Sequence, residues 1–334
     1  MKTTLIKPFK IKTFLPGIFL FLFCFSVVAR PTLGPPSVKL KSTISNVAVM
    51  QLMDITDSGK LQFKRIKDIY NESAESIVID GSDELSQQLQ LNEQYIVGYV
   101  AWYNDKISRK IIPRKGGPVL LSLPGASPAI FKYDAVIEQI LNWTVEDSLK
   151  SDDKLYQQIM AGLLKTTDEQ QLSFFITELL TRHPYLKKPA VESVIESLIT
   201  SPEVSWQNKA LLISLIDAGK GSLNEPWFCE FMVGTLSLAA TDIGDNNTQS
   251  GLIISLLNNS QTCQIEAPYL PIKRWLNSNH SGVVEAAVSA MRLLDLPLTV
   301  KEVERVLKFT LKGENIRFTL NNYLSRLKNE LTTL

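Results

Sequence analysis

The hydrophobic spacing of this chain changes once, near residue 132, and that change limits its architecture more than any motif. From Thr43 the apolar residues recur with period two. Ile44, Val47, Val49, Leu52 and Ile55 carry one strand pattern, and Leu61, Phe63 and Ile66 another. Ser76–Asp80 is short and β-branched, and Tyr95–Tyr103 (YIVGYVAWY) is long, branched and aromatic. Residues 119–123 and 129–131 complete the set. Such residues fit a pleated, half-buried surface. Short strands crowded into so few residues predict a small all-β barrel or sandwich over 43–132. Asn104-Asp105 is read as a turn that returns Ile107–Ile112 as a hairpin partner.

From Tyr133 onward the apolar spacing is helical. Ile137, Ile140 and Leu141 share one face, and Leu155, Ile159, Leu163 and Leu164 another. His183-Pro184, Gly219 and Leu296-Pro297 read as helix stops. Thr167-Asp168-Glu-Gln and Ser201-Pro202-Glu203 each place a capping residue ahead of acidic first-turn residues. The fold class expected is therefore α+β: a small β-domain followed by an all-α domain over 133–334.

The first residues read as an export signal. Lys2, Lys7, Lys10 and Lys12 form a basic start, Phe14–Val28 an apolar run, and Val27 and Ala29 the small residues that a signal peptidase accepts. Cleavage after Ala29 is expected, with a periplasmic or extracellular destination. The run is shorter than the roughly 20 residues a membrane span requires, so no span is expected in the mature chain. Phe23 before Cys24 does not fit a lipidation box. Residues 30–42, rich in Pro and Gly, read as a linker.

Cleavage would leave Cys229 and Cys263 as the remaining cysteines. In an oxidising compartment an even pair reads as a disulfide. Closing a loop of that length contributes about 4 kcal/mol in the chain-entropy model.

Aligning the helical half on its small and leucine positions gives a repeat. Val283-xxx-Ala287-xx-Ala290-Met291 parallels Ile316-Arg317-xx-Leu320-xx-Tyr323-Leu324. Leu211-xx-Ser214-Leu215 and Leu252-xx-Ser255-Leu256 fit the same frame, and Ile176-xx-Leu179-Leu180 fits it more poorly. The corresponding positions are 179, 214, 255, 290 and 323. This cadence resembles HEAT-like repeats over residues 166–331, although only Arg317 occupies the basic position of that family. The resemblance implies a curved solenoid of stacked helix pairs that binds a protein or peptide. Phe63–Tyr70, Ile77–Ile79 and Leu91–Val97 resemble a netrin-like barrel of the oligonucleotide/oligosaccharide-binding type. Asn71 stands where that family has Gly.

Little in the sequence points to catalysis. The chain has two histidines, His183 and His280, and both fall at helix termini. Gly125-Ala-Ser127-Pro-Ala129 lacks the last glycine of a nucleophile elbow. Gly219-Lys220-Gly221 follows a helix, where a phosphate loop follows a strand. Asp83-Glu84 and Asp152-Asp153 read as solvated pairs in loops. No metal site and no cofactor are expected.

One cationic feature remains. Lys106, Arg109, Lys110, Arg114 and Lys115 lie across a turn from Trp102 and Tyr103, which makes them candidate ligand-binding residues for an anion. The ordinary role of such cations is to protect a sheet edge. The formal charge of +1 divides unevenly. Residues 30–132 carry 13 basic and 10 acidic residues, and residues 133–334 carry 18 and 24. An acidic helical half disfavours nucleic acid as its partner.

The leading expectation is an exported, non-enzymatic interaction protein that binds a protein or peptide through its helices. The alternatives are an inhibitor or anion binder acting through the hairpin, and a hydrolase with acids gathered where the two halves meet.

Overall fold

The structure is a computed structural model. It describes residues 34–104, 111–144, 146–147, 152–219, 225–243, 247–263, 269–309 and 313–333. The expected signal segment, residues 1–29, lies outside the described residues. The fold is α+β: an antiparallel sheet within residues 45–132, then an all-helical region.

Strand β1 (Ser45–Ile55) is the centre of the sheet. It pairs antiparallel with β2 (Lys60–Tyr70) on one side and β4 (Gln94–Val100) on the other. Beyond β2 lies β3 (Ser76–Asp80). The far edge of β4 is shared by β7 (Val119–Leu120) and β8 (Ile130–Lys132). β3 and β7, at the two ends of the sheet, touch one another. The sheet therefore curls around a core of its own, made by Met50, Leu52, Leu61, Phe63, Tyr95 and Val97. Its other face packs on the helices, and there Val47, Val49, Ile96 and Phe131 join a second core that continues to Leu327.

The hairpin stands apart as a two-stranded sheet, β5 (Trp102–Asn104) with β6 (Ile111–Pro113). Its register puts Asn104 opposite Ile111. The connection therefore spans 105–110, which corrects the tight turn expected at Asn104-Asp105.

Two short helices were not expected. Residues 34–42, read as a linker, contain α1 (Pro36–Lys39). Leu40 just after it is fully buried. A Cβ at Gly98 would come within 3.0 Å of Leu40 Cδ2 and 3.1 Å of Ala129 Cβ, so glycine lets this strap lie directly on β4. Asp83-Glu84, read as a loop pair, opens α2 (Asp83–Gln88). Ser82 Oγ caps it by accepting from Leu85 N, and Leu85 is buried in the sheet core.

The helical region begins with α3 (Ala135–Asn142), capped by Asp134, and α4 (Asp153–Lys165), capped by Asp152. Asp152 and Asp153 are thus a cap and a first-turn acid, the placement that the helix dipole favours. There follow α5 (Glu169–Leu180), capped by Asp168, α6 (His183–Leu186), α7 (Pro189–Thr200) and α8 (Trp206–Gly219). His183 opens α6 with Pro184 in its first turn, so it does not end a helix as expected. Proline suits that position because its missing N–H would be unpaired there anyway. The cap expected at Ser201 moves to Ser205, whose Oγ accepts from Asn208 N at 3.3 Å. The remaining helices are α9 (Pro226–Leu238), α10 (Asn247–Asn258), α11 (Tyr269–Lys273), α12 (Ser281–Leu294), α13 (Leu296–Phe309) and α14 (Glu314–Thr333). A 3-10 turn, Arg274–Asn277, extends α11.

These helices pack in two ranks. α5, α8, α10, α12 and α14 touch in that order, and so do α4, α7, α9 and α11. α13 joins the second series through the 3-10 turn after α11. Each hairpin thus contributes one helix to each rank. Trp275, fully buried, stitches neighbouring members of one rank by donating from Nε1 to Leu236 O at 3.0 Å.

Candidate functional site

The cationic hairpin is only partly described. Lys106, Arg109 and Lys110 lie outside the described residues, as does the side chain of Tyr103. Arg114 and Lys115 are exposed. Trp102 is 43% exposed and lines a shallow groove of about 360 Å³ with Ile111, Ile44 and Thr43. The other walls of this groove are Asn46, Asn71 and Glu72. Asn71, at φ +54°, donates from Nδ2 to Ser45 O at 2.7 Å. The structure does not bring Arg114 or Lys115 into this groove, and among the described residues the one charged group lining it is Glu72.

A larger cleft, about 480 Å³, opens where the sheet half meets the helices. Four separate segments build it: α2, the loop from Gly125 to Pro128, the first turns of α5, and the first turn of α8. Gly125 has φ +73°, and a Cβ there would lie 2.5 Å from the Thr177 side chain. Both facts require glycine, and the loop is thereby pressed onto α5. Gln170 Nε2 fastens the same loop by donating to Pro128 O.

Glu169 ties the two helical walls together. Its Oε1 accepts from Ser205 N at 2.8 Å and its Oε2 from Ser205 Oγ at 2.5 Å. Asn208 Nδ2 donates to Glu169 Oε2 and, at 2.9 Å, to Glu169 O. Asn208 is 2% exposed, and its Oδ1 has no hydrogen-bond partner. The amide orientation follows from the carboxylate: turning Oδ1 toward Glu169 would set two acceptors against each other. Lys209, beside this clamp, has its ammonium pKa lowered by burial, partly offset by the charge of Glu169. Trp206 is 37% exposed on the cleft wall.

Ser127 lies in the cleft, but its Oγ is 2.6 Å from Ser122 Oγ and the chain continues into β8. A nucleophile elbow would continue into a helix. No histidine lines the cleft among the described residues. Glu84 and Glu169 are both present there, and the Glu169 oxygens are already committed to Ser205 and Asn208.

Cys229 and Cys263 form a disulfide with their Cα atoms 5.5 Å apart. The bond ties the start of α9 to the turn that follows α10. Among the described residues no cluster of His, Cys, Asp and Glu could hold a metal ion. Nor is any described helix long and apolar enough to cross a membrane.

A buried charged cluster locks the α1 strap. Glu178 on α5 is fully buried, and its Oε1 accepts from Ser37 N at 2.5 Å. Arg182 donates to Oε2 from Nη2 at 2.8 Å and from Nε at 3.2 Å. Lys41 Nζ donates to Trp143 O. Burial lowers the Lys41 pKa to about 8; Glu178 opposes the shift and Arg182 adds to it. Sequence reasoning missed this cluster because its parts are 141 residues apart.

Comparison with known proteins supplies no relative: no family model, no curated protein and no solved structure matches this chain.

Proposed function

We propose that the chain is an exported, non-enzymatic interaction protein that binds a partner protein or peptide through a HEAT-like helical array. The observation that carries this reading is the two-rank packing. Each helical hairpin adds one helix to each rank, a packing that a stack of repeat units would produce and that supports the reading of an extended binding surface. The Cys229–Cys263 bond suits an oxidising compartment and so supports the expected export. Among the described residues, the groove beside Trp102 is lined by neutral side chains and Glu72, so it adds no support to the hairpin reading.

The test is capture of exported proteins by the intact, oxidised chain. Glu192→Arg on α7, Glu230→Arg on α9 and Glu285→Arg on α12 place new charge on exposed positions of the two ranks. Loss of the captured protein with any of these, and retention with Trp102→Ala and Arg114→Glu, is the expected result. Loss only with the hairpin substitutions would transfer binding to the β-half. N-terminal sequencing of the exported chain should begin at Arg30; a product that keeps residues 1–29 would overturn the export reading.

A further inference from the structure

The cleft between α2, the Gly125–Pro128 loop and the starts of α5 and α8 has a consistent chemistry. Among the described residues, no lysine or arginine lines it. Its polar groups are mostly hydroxyls and primary amides: Ser82, Ser173, Gln88 and Gln207. Each such group can both donate and accept. A ligand matched to this wall must present groups that also do both, which is the property of a sugar hydroxyl. Anionic ligands are disfavoured by Glu84 and Glu169 and by the missing cations. A cationic ligand would need an uncommitted buried acid, whereas Glu84 is exposed and the Glu169 carboxylate already accepts three hydrogen bonds from Ser205 and Asn208. An extended peptide would need a free strand edge or a row of apolar sockets. Here the aliphatic wall residues are Leu85 and Pro128.

We propose that this cleft binds a neutral saccharide, with the exposed Trp206 indole as its stacking platform and the serine hydroxyls and glutamine amides as the groups that read its hydroxyls. The flat apolar side of a pyranose ring matches an indole face, while its rim keeps the hydroxyls for polar partners. The volume, about 480 Å³, falls within the usual range for small-ligand sites. The walls are held in advance by three ties: Glu169 to Ser205 and Asn208, Gln170 to the loop, and Gly125 against Thr177. A preformed site avoids the ordering cost that weakens binding. The Asn208 amide belongs to the same wall and keeps an acceptor without a partner. This inference is independent of the partner binding assigned to the helical ranks.

Tryptophan fluorescence and saturation-transfer NMR on the intact oxidised chain test it. The probes are maltotriose, cellotriose, mannotriose and chitotriose, with sialyllactose and trilysine as charged controls. At least one neutral trisaccharide should bind at millimolar concentration. Trp206→Ala should weaken it about tenfold or more, the loss of one anchoring aromatic. Gln207→Ala should weaken it by a smaller factor, and Trp102→Ala should leave it unchanged. Trp206 and Gln207 are exposed, so neither substitution opens a core. Failure of all four trisaccharides to bind, unchanged affinity in Trp206→Ala, or equal binding of a charged control would each overturn the assignment. Release of a new reducing end would overturn a role in binding alone.

Discussion

Arg182 Nη2 lies 2.8 Å from Glu178 Oε2, with both side chains buried, and the same carboxylate holds the backbone of Ser37. The pair is thus less a helix-surface ion pair than the floor on which the α1 strap rests. Removing one partner of a buried pair leaves the other charge uncompensated, at a cost of about 3–5 kcal/mol. Glu178→Ala should lower stability by that amount in urea denaturation. Replacing Glu178 and Arg182 together with apolar residues of similar volume should cost much less.

The strap also carries apolar weight. Leu40 is fully buried against Gly98 and Ala129. Leu40→Ala should cost about 2–5 kcal/mol, the usual range for truncating a buried leucine. A cost below about 0.5 kcal/mol, typical of an exposed position, would mean that the strap is not seated.

Lys41 should give stability an alkaline signature. Its folded pKa is lowered, so above about pH 8 the folded state sheds a proton that the unfolded state keeps until about 10.5. The unfolded state then binds more protons, and stability rises with pH across that window. Other groups titrate nearby, so the useful quantity is the difference between wild type and Lys41→Met. It should move in favour of wild type by about 1.5 kcal/mol between about pH 8 and 9.5. A flat difference would show that Lys41 keeps an ordinary pKa.

The disulfide should contribute in proportion to the loop it closes. Replacing both Cys229 and Cys263 with serine, or reducing the bond, should cost about 4 kcal/mol. Thermal melts with and without reductant measure it, and the double-serine variant should show no reductant effect.

Strand β1, strand β4, the helical region after residue 132 and the cysteine pair were legible because their signals are local or leave one pairing open. The α1 strap was not. Pro35, Pro36 and Gly34 spell a linker, and only Glu178, far along the chain, makes the segment part of the core. α2 did leave a trace in Ser82-Asp83-Glu84-Leu85, a cap followed by acids and a buried leucine. The repeat positions 179, 214, 255, 290 and 323 fall one on each of α5, α8, α10, α12 and α14. Leu179 and Ala290 are buried while Ser214 is exposed, so the spacing marks the helices more reliably than their inner face. The cleft was illegible because four distant segments meet there, and neither Trp206 nor Asn208 belongs to a motif.

Val47 and Val49 on β1 face the helices, whereas Ala48, Met50 and Leu52 face the inside of the curled sheet. From Val47 to Met50 both sides of this strand are therefore greasy, and within that stretch the two faces could trade places without carrying a polar group inward. Its alignment is guarded at the flanks: a slip by one residue would push Asn46 into the place of Val47, or Gln51 into the place of Met50. Fit adds a second check, because Val47 sits opposite Gly98, where Leu40 and Ala129 leave no space for a Cβ. The strand at the centre of the sheet is thus aligned by its polar flanks and by one glycine rather than by an alternating pattern.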